Sequence, residues 1–167
     1  MTQPSVTKER QALVSSLAQQ RRHVLGILEG LSEEDLRRPI LPSGWTCAGL
    51  VHHLAIDVER FRFRAVVAGE PVPDDEPDNA WQAPAGVTAA AVLDGYRREI
   101  ELADAIIAAT SLDRAPAWWP EDLFGSWRLD DLREILLHVI AETATHAGHL
   151  DAARELIDGR QWVVLTE

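Results

Sequence analysis

An all-α fold, a four-helix bundle with long crossover connections, is the class this sequence predicts. Four long segments repeat apolar residues at helical spacing, and none sustains the alternation of a half-buried strand. Two stretches between the later segments are too irregular for helix and long enough to let consecutive helices run parallel. The 167 residues and 46% hydrophobic content suit one domain over 1–167 that needs no disulfide or structural metal to complete its core.

The first helix is expected from about Val6 to Glu29, with Leu13, Leu17, Val24 and Leu28 on one face and a stop at Gly30. Ser32 and Asp35 have capping-box spacing and predict a short helical turn, closed by Pro39 and Pro42. Thr46 is the expected N-cap of the second long helix, which continues to about Ala68 before Gly69 with Leu50, Leu54, Val58 and Phe61 inward. From Glu70 to Gly86 the chain carries Pro71, Pro73, Pro77 and Pro84, so it reads as a crossover. The acidic run Asp74-Asp75-Glu76 with Asp78 reads there as a solvated loop.

Thr88 is the expected cap of the third helix, which runs to about Ala109 through Ala91, Leu93, Tyr96, Ile100, Ala103 and Ile107. A second connection, Thr110 to Leu129, holds Trp118, Trp119 and Trp127, which read either as a roof over a pocket at the metal end or, in the preferred reading, as a plug of the bundle's open end. Asp130 is the expected cap of the last helix, which ends at Asp158-Gly159. The tail from Gln161 to Glu167 reads as a short extended piece.

Composition excludes several function classes. A net charge of −11 argues against nucleic acid, which needs a clustered basic surface, and against an anionic membrane. The polar segment Met1 to Arg10 has no apolar signal core, and no stretch approaches the roughly 18 apolar residues of a membrane span. A cytoplasmic location is therefore expected. Cys47, the one cysteine, rules out an internal disulfide and a cysteine metal cluster, and reads as a small buried hydrophobe.

Chemistry concentrates on the last helix. At about 100° per residue, His138, Glu142, His146 and His149 fall within one stripe roughly 80° wide. Glu142 and His146, four apart, sit one above the other and can grip one ion. A third ligand must come from a facing helix. The second helix offers His52 and His53, of which His53 lies nearer the centre of the apolar stripe. Two imidazoles and one carboxylate suit Zn²⁺ best, with Ni²⁺, Fe²⁺ or Mn²⁺ as alternatives, and leave coordination positions open for water or substrate. Against this stands the plainer reading of helix-face histidines as packing groups. His-Glu-x-x-His and Glu-x-x-His are both missing, which excludes that metalloprotease type and a ferritin-like di-iron bundle.

Three features resemble the DinB-like four-helix bundles, in particular the actinobacterial branch of mycothiol-dependent maleylpyruvate isomerases and mycothiol S-transferases. The first is Gly44-Trp45-Thr46 followed by Leu50-Val51-His52-His53-Leu54-Ala55 and Val58-Glu59-Arg60-Phe61. The second is Glu142-Thr-Ala-Thr-His146-Ala-Gly148-His149 with Asp151 and Arg154-Glu155-Leu156. The third is the layout of the whole chain. The resemblance implies that His53, Glu142 and His146 bind a divalent metal, and Glu142, where many members have His, points to the mycothiol-associated branch. It further implies a cosubstrate thiol, mycothiol, whose sulfur attacks a small electrophile. Maleylpyruvate isomerisation is not expected, since those enzymes carry an extra C-terminal domain. The competing reading is a non-catalytic, stress-associated metal-binding or interaction protein; a homodimer is left open. His149 and His138 flank the ligands and read equally well as supporting or packing groups, and His23 shows no local partner.

Overall fold

A computed structural model describes residues 4–71 and 79–162 and, among these, contains helices and no strands. The acidic run at Asp74–Asp78 and most of the C-terminal tail lie outside the described residues. Helix α1 spans Pro4–Ile27, the short α2 Glu33–Arg37, and α3 Cys47–His53. The chain then continues helically over Leu54–Val67 with π-type pairing. α4 spans Ala89–Ala109, a single turn α5 Glu121–Phe124, and α6 Leu132–Asp158.

The caps follow local chemistry. Ser32, Thr46 and Thr88 each accept a backbone N–H three residues on, at Asp35, Gly49 and Ala91, as the sequence predicts. The last helix corrects its expected cap by one residue. Asp131 accepts the N–H of Glu134, while the N–H of Asp130 donates to the Glu134 carboxylate at 2.8 Å, so acid and helix start bond each other reciprocally. Gly159 closes α6 at φ 78°, where a side chain would be strained.

The second long helix is not the plain α-helix expected. From Leu54 its pairing widens to i→i+5, and its buried side chains shift register accordingly. Leu54, Val58, Phe63 and Val67 are buried, whereas Phe61 is only partly buried. The extra residue per turn also brings Glu59 and Arg62 inside.

Cross-helix contacts give the topology. Arg133 reaches Glu9, His23 reaches Asp151 and Arg154 reaches the carbonyl of Ile27, so α1 and α6 run parallel. The π segment runs parallel to α4, with Arg60 on Glu99, and antiparallel to α6. The first long connection is thus a true crossover between parallel neighbours. The second instead joins α4 to a helix running the other way. Two arginines finish helix ends: Arg10 bonds the carbonyls of Ile107 and Thr110, and Arg154 bonds those of Ile27 and Glu29 at 2.8 and 2.9 Å. At the centre, buried Arg21 grips both oxygens of buried Glu59 at 2.7 and 2.6 Å and also Asp104, tying three helical elements together.

Candidate metal centre

His53 ends α3 where the pairing widens, and it faces the middle of α6. Its imidazole is 7% exposed. Nδ1 lies 2.9 Å from the Asp57 carboxylate, to which it donates, and this turns Nε2 to the opposite side of the ring. Nε2 is buried with no hydrogen-bond partner among the described residues and lies 4.0 Å from Oε1 of Glu142. That oxygen is 3.2 Å from Nε2 of His146. One donor atom from each of His53, Glu142 and His146 lies within 4.8 Å of the others, a group that could hold a metal ion.

Burial pushes the His146 imidazole below its ordinary value and facing His53 adds to that, while Glu142 pulls the other way. The neutral ring is the form that ligates. His149, on the exposed side, puts its Nδ1 3.3 Å from Nδ1 of His146, which leaves the Nε2 of His146 facing Glu142. An unpartnered buried imidazole nitrogen facing a carboxylate and a second imidazole fits a divalent cation better than it fits plain packing.

The structure separates the two adjacent histidines as the helix requires. His52 Nδ1 donates to the carbonyl of Ala80 at 2.9 Å and takes no part in the group. His138 lines the neighbouring cavity instead, its imidazole lowered by burial and by the Arg62 charge. His23, without a local partner in sequence, pairs with Asp151 across α1 and α6.

Sequence reasoning missed Asp57, Trp81 and Arg62. Asp57 carries a visible signal, four residues after His53 on the same helix. Trp81 carries none, lying in the proline-rich crossover. It stacks on His53 with centroids 4.1 Å apart and meets His146 edge-on at 5.3 Å. Gly49 admits it: a Cβ there would collide with the Trp81 carbonyl oxygen. Of the three tryptophans of the second connection, Trp127 reaches the cavity side, with its ring 5.4 Å from His138. Trp119 is buried against Trp127 and Phe124, while Trp118 and Trp127 keep exposed faces.

Beyond His53 and Glu142 a cavity of about 290 Å³ opens, walled by Phe61, Leu123 and Phe124 and also lined by Arg62. A helical bundle with two buried histidines and a half-buried glutamate beside an open cavity is the architecture of a candidate metalloenzyme. The mycothiol-S-transferase family model matches residues 12–159, and the chain belongs to that family. That membership makes it an enzyme of the mycothiol-dependent, DinB-like branch. Among curated proteins, none matches the chain. No helix of the described residues is long and apolar enough to cross a membrane.

Proposed function

We propose that this enzyme transfers the sulfur of mycothiol to a small electrophile, using one divalent ion, zinc, held by His53, Glu142 and His146. The observation that carries the reading is the buried, unpartnered Nε2 of His53 beside Glu142 and His146, in a chain of the mycothiol-S-transferase family. Leaving such a nitrogen unpaired costs about 1–3 kcal/mol, and a cation is the partner that this donor set suits.

Bound there, the ion would supply the positive charge that keeps a thiol sulfur ionised near neutral pH. The chain's own groups do the rest. Asp57 fixes the tautomer and angle of the His53 ring. Trp81 covers His53 and His146 and keeps water from that side. Three protein donors leave room for the thiol, and the adjoining cavity takes the electrophile. In the transfer, the thiol's proton leaves to solvent and a sulfur–carbon bond forms. The bond from carbon to the leaving group breaks, and that group departs with its electron pair. The protein acts as one domain in the cytoplasm, where low-molecular-weight thiols are kept reduced.

The test is metal analysis of purified protein, followed by loss of mycothiol over a panel of electrophiles. About one divalent ion per chain is expected, with metal and turnover both lost in His53→Ala and retained in His52→Ala. Full turnover after the metal is stripped from the protein would refute the reading.

A further inference from the structure

Three arginines are buried, and two of them are fully engaged: Arg21 by Glu59 and Asp104, and Arg154 by Asp158 and the end of α1. Arg62 differs. It is 8% exposed, and its Nη1 is buried without a hydrogen-bond partner among the described residues. Its charge lies over three aromatic rings instead, with Cζ 4.8 Å from the centroid of Phe124, 5.2 Å from Phe61 and 5.6 Å from Trp127. Such cation–π contacts favour the charge but give its Nη1 no acceptor.

The two nearest acids are committed to other partners. Asp57 accepts from His53, and Glu142 lies against His146. Asp57 and Glu142 act on the Arg62 charge through space, yet neither hydrogen-bonds its buried Nη1, which stays open to an anion that can. Arg62 lines the same cavity as His53, Asp57, His138 and Glu142, and the remaining walls, Val58, Phe61, Leu123 and Phe124, are apolar or aromatic.

We propose that Arg62 is the anion-binding residue of this cavity, and that the electrophile accepted by the enzyme carries a carboxylate on a small apolar or aromatic body. The planar fork of a guanidinium pairs with a carboxylate through two parallel hydrogen bonds, and stacking on Phe124 and Phe61 holds the fork in place. Naming the anion's owner as the electrophile rests on the S-transfer reading above. The binding of the anion by Arg62 does not.

The test is calorimetric titration of the full chain, metal-loaded and metal-free, with phenylacetate and with its neutral isostere phenylacetamide. Phenylacetate is expected to bind about tenfold or more tightly than the amide in both forms, the preference that a charge-assisted pair gives. Arg62→Met keeps an apolar stem and is expected to lose that preference while retaining helicity and metal content. Arg62→Lys keeps the charge and is expected to retain part of it. Equal binding of acid and amide by the wild-type protein would overturn the proposal, as would a preference that survives in Arg62→Met. A preference seen only in the metal-loaded wild type would also overturn it, by placing the carboxylate on the ion. If the preference persists in a protein that takes up no metal, Arg62 keeps its role and the metal-dependent reading falls.

Discussion

The Nδ1 of His53 lies 2.9 Å from the carboxylate of Asp57, one helical turn further on, and this contact decides which ring nitrogen faces Glu142 and His146. Asp57 itself is largely exposed, with 46% of its side chain accessible, so it can serve the site without a large desolvation cost. The carboxylate also makes the imidazole a better donor, because it stabilises positive charge on the ring.

Removing Asp57 should therefore weaken metal binding without unfolding the chain. Asp57→Ala is expected to lower affinity about 10- to 100-fold, the usual cost of losing such a partner. Asp57→Asn, which keeps an acceptor oxygen but not the charge, should fall between. Competition against a chromophoric chelator measures both, and affinities within twofold of wild type would mean that Asp57 has no such role.

Gly49 controls the cover over the same ring. Its missing Cβ lets the Trp81 carbonyl pack against α3, and His52 fastens the preceding residue, Ala80, to the same helix. Gly49→Ala should push Trp81 away from His53. The ring protons of His53, shifted upfield by the stacked indole, should then move toward ordinary imidazole positions in the NMR spectrum. Unchanged His53 shifts in a folded Gly49→Ala protein would show that the stack does not depend on this glycine.

The buried pair of Arg21 and Glu59 makes a stability prediction. Burial pushes the Glu59 carboxyl up, and the Arg21 guanidinium opposes it. Removing Arg21 leaves Glu59 as an uncompensated buried charge, whereas removing Glu59 would still leave Arg21 with Asp104. Arg21→Met should cost about 3–5 kcal/mol of unfolding free energy in urea titrations, since one partner remains stranded. A loss below about 1 kcal/mol would imply that water or relaxation already satisfies Glu59.

The legible parts of this molecule are those set by local chemistry. Thr46 and Thr88 cap as their type and position require, and Glu142 with His146 follows from four-residue spacing on one helix. The one-residue displacement of the final cap reflects two adjacent aspartates, either of which suits the position. The π segment was illegible because Leu50, Leu54 and Val58 fit an α-helix equally well, and the extra residue per turn shows only at Glu59, Arg62 and Phe63. Glu59 falls well off the apolar stripe at 3.6 residues per turn, yet the structure buries it. Trp81 was illegible for a different reason. A crossover residue reaches a site through the path of the loop, which no periodicity encodes.

Cys47 bears on the mechanism by its inertness. It is buried, and burial pushes its thiol up to about 11, with nearby Arg154 offsetting only part of the effect. A raised thiol pKa keeps the proton on, so reactivity should rise with pH only as the medium approaches that value. At pH 8 about one molecule in a thousand would carry the thiolate, against roughly a quarter of a free cysteine with a pKa near 8.5. Alkylation of the native protein by iodoacetamide should be about 100-fold slower or more than that of the urea-unfolded chain, read by intact mass. Comparable rates would show that the thiol is open to reagents.

The thiol-transfer reading can be checked at the proposed centre itself. Loading the proposed centre with Co²⁺ gives a spectroscopic probe, because sulfur bound to Co²⁺ produces a ligand-to-metal charge-transfer band that nitrogen and oxygen donors do not. Adding mycothiol to the Co²⁺ protein should generate that band, and a neutral analogue without sulfur should not. Turnover with a model electrophile should require the ion and fall with removal of Glu142 or His146. Its rate should rise with pH and level off once the thiol is ionised, at a pKa below the free value of about 8.5, since a nearby cation favours the thiolate. Cys47→Ser should leave both the band and the turnover largely intact, because the nucleophile is the cosubstrate. A silent Co²⁺ spectrum on adding mycothiol, or turnover abolished by Cys47→Ser in a folded protein, would rule out attack by a cosubstrate sulfur held at this group, whatever metal His53, Glu142 and His146 bind.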